Sequence, residues 1–230
     1  MAENAARGRA TRTANMAMRR DRILDTARDI IAESGFEALG IRELARRAGV
    51  TVPTIYNLIG NKSALVAQLF NDTISPFEDL QFIGEDDDPV GAPERFFENL
   101  IAWMRGRENY HRAEFLAREH LRKAGDAVAV EMHERVIGIA IEACEQLRNA
   151  GVLLGAVGTR QLGELVEHQV RLAFHDWAHG AVNLEQFRRR LIVGTYLCLA
   201  ADASSEYHPR FIEKLRSCDS DDHVVRLGDR

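Results

Sequence analysis

Apolar residues recur at three- and four-residue intervals along nearly the whole chain, and no segment sustains the two-residue alternation of a strand. Phe97, Leu100, Ile101 and Met104 form one such face, and Val130, His133, Ile137, Ile141 and Cys144 form another. The five prolines are Pro53, Pro76, Pro89, Pro93 and Pro209, so nothing between Glu94 and His208 forbids helix. A proline in a helix interior costs roughly 3 kcal/mol, and a long stretch without one leaves room for long helices. The pattern predicts an all-α chain, with helices over about 15–34, 41–48, 52–58 and 61–75. Further helices follow over about 93–106, 108–124, 126–149, 159–180, 184–204 and 206–217. Gly84 to Pro93, with four consecutive acidic residues, reads as a solvated loop. Residues 1–14 read as a flexible basic arm, and the last dozen residues as a frayed end.

The segment from Ile41 to Ile59 is the most informative. Ile41, Leu44, Ala45 and Ala48 make the inner face of a short helix that Gly49 ends, since glycine can take the left-handed conformation of a sharp corner. Thr51 is placed to cap the next helix through its hydroxyl, and Pro53 sits in the first turn, where a missing N–H costs nothing. Val50 before the cap and Ile55 at the fourth helical position form a hydrophobic staple. Ile55 and Leu58 face inward, leaving Thr51, Val52, Thr54, Tyr56 and Asn57 outward on a helix of about two turns. A helix-turn-helix inserts such a face into the major groove, where Thr and Val contact thymine methyls and Asn reaches an adenine edge. Against this stand a corner that only packs and binds nothing, and, as the main functional competitor, a helical adaptor that uses the corner for protein contacts.

Charge weighs between these readings. The net charge of −5 over 230 residues argues against a polyanion partner only until it is divided. Residues 1–65 carry eleven basic and seven acidic residues, a net of +4, and the remainder a net of −9. A basic head on an acidic body points to a localised nucleic-acid site. Arg19, Arg20 and the arginines of the arm are placed to add sequence-independent attraction to phosphate or to a minor groove. Three cysteines without a C-x-x-C pair exclude a disulfide framework, and no apolar run has the length of a signal peptide or membrane span. The location expected is cytoplasmic, without membrane association.

The run Leu44-Ala45-Arg46-Arg47-Ala48-Gly49-Val50-Thr51-Val52-Pro53-Thr54-Ile55-Tyr56, continuing Asn57-Leu58-Ile59-Gly60-Asn61-Lys62-Ser63-Ala64-Leu65, resembles the DNA-binding domain of TetR-family transcriptional regulators. Arg22 to Ala27 and Ser34-Gly35-Phe36 resemble that family's first helix and the turn after it. The resemblance implies an N-terminal three-helix helix-turn-helix domain over about 15–70 and a larger antiparallel helical domain over 71–230 that binds effector and dimerises. It implies a homodimer on a palindromic double-stranded operator, a repressor released by a small-molecule effector, with no cofactor. Tyr56 and Lys62 take the phosphate-contacting positions, Thr54 lies at the DNA surface, and Arg42, Thr51, Val52, Pro53 and Asn57 complete the expected DNA-binding set with Arg19 and Arg20. Two positions depart from the family. Leu58 and Ile59 stand where His-Phe is usual, and Gly40 stands where Ser or Thr often caps the helix; Arg42, Asn61 or the arm compensates.

In the larger domain, polar and aromatic side chains on apolar stripes mark candidate effector contacts, Trp103, Tyr110, Glu114, His133 and His168, with Ile137 beside His133 on its stripe. By family position the last two long helices form the dimer pair, through Leu165, Leu172 and Trp177 on one and Phe187, Leu191 and Cys198 on the other. His175 and His179 have chelating spacing, but Gly180 marks a helix terminus, where histidine suits the dipole, and no metal is expected. The chain has no G-x-S-x-G, phosphate-binding loop, dinucleotide fingerprint or H-E-x-x-H, so no catalytic residue is assigned and no enzyme expected.

Overall fold

The computed structural model describes residues 2–78, 82–84 and 87–225, with side chains placed from 14 to 218 within those ranges. Among the described residues ten α-helices follow in order: α1 Ala2–Ser34, α2 Ile41–Ala48, α3 Val52–Leu58, α4 Lys62–Glu78, α5 Ala92–Met104, α6 Glu108–Lys123, α7 Ala127–Asn149, α8 Thr159–Ala178, α9 Leu184–Ala200 and α10 His208–Val225. Among the described residues the only β feature is a single antiparallel bridge between Leu153 and Ala203. The all-α expectation holds. Part of the tail expected to fray, residues 226–230, lies outside the described residues.

Three helices exceed their expected bounds, among them α10, which continues to Val225 through residues expected to fray. α1 begins at Ala2 rather than near residue 15, so the stretch read as a flexible arm is helical. Ala2, Ala5, Ala6, Arg7, Arg9, Ala10 and Arg12 are strong helix formers that outweigh Gly8. α4 continues through Pro76 to Glu78 instead of stopping before it. Three residues from the helix end, the proline removes one ladder bond without preventing the last turn.

The chain divides into two compact units, Met1–Thr73 with Arg107–Ala129, and Ile74–Gly106 with Val130–Arg230. In the first, α1 packs on α2, α3 and α6. Its core joins Ile23, Ala27, Ile30 and Ile31 of α1 to Leu44, Ala45 and Ala48 of α2, Ile55 of α3, Leu65 and Leu69 of α4 and Tyr110 of α6. Each fully buried Leu or Ile contributes roughly 1.5–3 kcal/mol, enough to fix the short α2 and α3, which would not be stable alone. Buried beside Tyr110 are His111 and Glu114. Burial, with Arg107 and Arg28 nearby, pushes His111 down to about 4. Burial also pushes Glu114 up, against the pull of Arg118, whose Nε donates to it at 3.2 Å.

In the second unit, α8 packs along α9, which also receives α5 and α10. The indole of Trp177 stacks on Phe187 at 5.0 Å, and the Tyr196 hydroxyl donates to the Val90 carbonyl at 3.1 Å. Gly163 lets α8 approach α7: a Cβ there would lie 2.7 Å from the backbone Cα of Ile141. The loop between α7 and α8 is clasped by Asp202 just beyond α9. Its buried carboxylate accepts from the backbone N–H groups of Gly155, Ala156 and Val157 at 2.9, 2.8 and 3.2 Å.

Candidate nucleic-acid interface

The corner between α2 and α3 is built as its residues dictate. Gly49 takes φ 63°, and the Val50 N–H donates back to the Ala45 carbonyl at 3.0 Å, closing α2. The left-handed conformation there would strain any residue with a Cβ. Thr51 caps α3, accepting from the Thr54 N–H at 3.4 Å, and its hydroxyl lies 2.9 Å from that of Thr54. Ile55 is fully buried, with Val50, Val52, Leu58 and Ile59 packed around the same core. Thr51, Pro53, Tyr56 and Asn57 are exposed, Tyr56 to 53%, while Val52 and Thr54 are half-buried. The outward row is therefore presented on a helix anchored by one inward isoleucine and one cap.

Positive charge around this row is unevenly available. Glu43 accepts from Arg46 at 2.6 and 2.9 Å and from Arg47 at 2.8 Å, and Glu33 accepts from Arg47 at 2.5 Å. The two guanidinium groups hold the Glu43 carboxyl down at about 2. Arg42 is exposed in the first turn of α2, and Lys62 stands 5.8 Å over the ring of Phe36 at the start of α4. Leu58 and Ile59 are packing residues, and Gly40 caps α2 without a side-chain bond. Asn61 uses its Oδ1 to cap α4, accepting from the Ala64 N–H at 2.9 Å. α1 is tied to α4 twice: Arg28 donates to Asp72 at 2.6 Å, and Arg20 donates to Gln68. Arg28 also donates to Asp25 at 3.0 Å, a carboxylate shared with Arg107 at 3.4 Å. Arg19 is exposed on α1.

The expected effector residues separate. Tyr110 and Glu114 belong to the first unit, Tyr110 as part of its core. Trp103, His133, Ile137 and His168 belong to the second. There His133 Nδ1 lies 3.5 Å from a carboxylate oxygen of the buried Glu167, Arg171 Nε lies 3.3 Å from the same oxygen, and His168 Nε2 lies 2.9 Å from Arg171. Glu167 and Arg171 were missed by the sequence reading, although their four-residue spacing around His168 marks one helix face. Trp103, 37% exposed, meets Phe77 edge-on at 5.7 Å, and Phe77 meets Phe96 at 5.7 Å.

The expected dimer residues also separate. Trp177, Phe187 and Leu191 are fully buried within the chain, a correction: they form the core beneath such a face. Cys198 is half-buried, whereas Leu165 and Leu172 on α8 and Leu197 on α9 are 51, 56 and 58% exposed. The rings of His175 and His179 lie 4.2 Å apart, tilted to one another, and among the described residues no group of three or more His, Cys, Asp or Glu is placed to hold a metal. No described helix is long and apolar enough to cross a membrane.

A capped two-turn helix, crossed behind by α2 and presenting a polar row, defines a helix-turn-helix DNA-binding protein. Residues 23–69 match the model of the tetR family of bacterial regulatory proteins. The chain is 25% identical over 158 residues to the tetracycline repressor protein class D of Escherichia coli, covering 68% of this chain and 69% of that one. It has the same identity and coverage with the class H repressor of Photobacterium damsela subsp. piscicida. In fold it is similar to SmeT, the repressor of the Stenotrophomonas maltophilia multidrug efflux pump SmeDEF, with a TM-score of 0.66 and 17% identity over 81% of this chain and 91% of that one. A TetR-family transcriptional regulator from Marinobacter aquaeolei VT8 gives a TM-score of 0.59 and 17% identity over 86% and 98%. Over residues 23–69 the chain thus resembles the tetR family of DNA-binding bacterial regulators, a class of proteins that are not enzymes, and along most of its length it has the fold of a solved TetR-family regulator.

Proposed function

We propose that the protein is a cytoplasmic repressor that binds a palindromic operator as a homodimer and is released by a small-molecule effector. The observation that carries this reading is the exposed row Thr51, Pro53, Tyr56 and Asn57, with Val52 and Thr54 half-buried beside it, on a helix capped and anchored from behind. Thr51, Val52, Thr54 and Asn57 face base edges; Tyr56, Lys62 and Arg42 take phosphates. The domain over 15–70 carries this row and the domain over 71–230 carries effector binding and dimerisation. Two relatives are tetracycline repressors by name, and SmeT represses an efflux pump, which supports the negative sign. Leu165, Leu172 and Leu197 form the dimer face. In the second unit, Trp103 with its aromatic neighbours and His133 beside Glu167 are the effector-facing groups.

Selection of duplexes from a random library by the purified protein tests this. The expected result is an inverted repeat with half-sites roughly one helical turn apart, lost on Tyr56→Ala. Weak binding without sequence preference or salt dependence would instead favour the adaptor reading.

A further inference from the structure

The basic surplus of the head does not lie in its folded core. Residues 23–65 carry five basic residues, Arg28, Arg42, Arg46, Arg47 and Lys62, against five acidic ones, Asp25, Asp29, Glu33, Glu37 and Glu43. Three of those five cations are already held by carboxylates: Arg28 by Asp25 and Asp72, Arg46 by Glu43, and Arg47 by Glu43 and Glu33. The whole net charge of +4 belongs to the first 22 residues, where six arginines face only Glu3 and Asp21.

Residues 2–22 are helical, and the side chains described among them lie outside the core. α1 begins at Ala2, every side chain from Ala14 to Arg22 is exposed, and the first buried one among the described residues is Ile23. The ties from Arg20 to Gln68 and from Arg28 to Asp72 pair earlier with earlier and later with later residues, so α1 and α4 run in the same general direction. The part of α1 before Arg20 therefore extends toward the end of α4 that begins with Lys62, immediately after the exposed helix α3. A helix exposed at every position from Ala14 to Arg22, preceded by three further arginines in its sequence and running on that side, has the chemistry of a polyanion contact.

We infer that residues 2–22 form a helical extension that binds the phosphates of duplex DNA flanking the operator half-site. The inference rests on the reading that α3 faces DNA. About 21 residues of helix span roughly 30 Å, the length of about nine base pairs. The folded head supplies recognition with little net charge, and the extension supplies the charge that the head has neutralised internally. Binding here is independent of base sequence, so it lengthens the footprint without lengthening the consensus.

The test compares two duplexes carrying the palindrome selected by the full-length protein, one ending flush with the half-sites and one with ten further base pairs on each side. The wild type should bind the flanked duplex more tightly, with a steeper salt dependence and protection beyond the half-sites. The triple variant Arg7→Gln, Arg9→Gln, Arg12→Gln should lose the preference, and its salt slope on flanked DNA should fall by one to three units per chain. Deletion of residues 2–18, which ends five residues before the buried Ile23, should shorten the protected region while leaving thermal stability and the flush duplex's affinity unchanged. Equal losses on both duplexes, or none on either, overturn the inference while leaving operator binding intact. Failure of the wild type to select any palindrome overturns the underlying reading as well.

Discussion

The hydroxyls of Thr51 and Thr54 lie 2.9 Å apart across the first turn of α3, so the residue that caps the helix also holds one of the side chains it presents. Capping and presentation are thus coupled. Thr51→Ala should cost about 1 kcal/mol of stability, through the lost cap, and weaken operator binding. Thr51→Asp separates the two roles, because aspartate caps as well as threonine but brings negative charge toward phosphate. Its melting temperature should match the wild type while operator affinity falls tenfold or more; retained affinity would show that the first turn of α3 stands clear of DNA.

Two glycines should respond to alanine with opposite signs. At Gly163 a Cβ falls 2.7 Å from Ile141 Cα, so α7 and α8 must separate, which costs about 1–3 kcal/mol. At Gly138, exposed within α7, a Cβ meets nothing within 4 Å, and alanine should add about 0.5–1 kcal/mol through helix propensity. Denaturant titration of both variants reads the contrast.

Acid should loosen the first unit through His111. Its folded-state value of about 4 lies below the ordinary 6.5, so the neutral form is the folded one. The stabilisation is fully present above 6.5 and is lost as pH falls from there toward 4. The loss amounts to about 3 kcal/mol for an unfolded histidine of ordinary value. His111→Gln should flatten this segment of the stability–pH curve; an unchanged slope would assign it to other groups.

Leu165 and Leu172, seven residues apart, share one face of α8 and are both more than half exposed. With dimerisation on that face, Leu165→Gln with Leu172→Gln should yield a species near 25.9 kDa in sedimentation, with the helical content unchanged. Persistence of a dimer would place the interface elsewhere.

The helix-turn-helix was legible because its residues are locally decisive. Gly49, Thr51 and Pro53 each have a single cheap position in a corner, and together they set the bounds of α2 and α3 without help from the rest of the chain. The larger region was legible only as helices. Leu172 and Trp177 both continue the apolar pattern of α8, yet one is exposed and the other fully buried, because the choice depends on which helix arrives from far along the chain. Tyr110 looked like a pocket residue for the same reason: its place in the first core depends on α6 meeting α1, more than eighty residues earlier in the chain. The start of α1 was missed because arginine and alanine were taken for a disordered composition although both favour helix.

The Asp202 clasp bears on how the chain survives in a cell. A protease must draw out an extended strand of substrate to cut it, and surface loops are where this usually happens. Three successive peptide N–H groups of the α7–α8 connection are held by one buried carboxylate, so that loop cannot be drawn out without breaking all three bonds to the residue just beyond α9. Brief digestion of the folded protein should therefore spare residues 152–157, and Asp202→Asn should open the same stretch to cleavage before any other change in the second unit is seen.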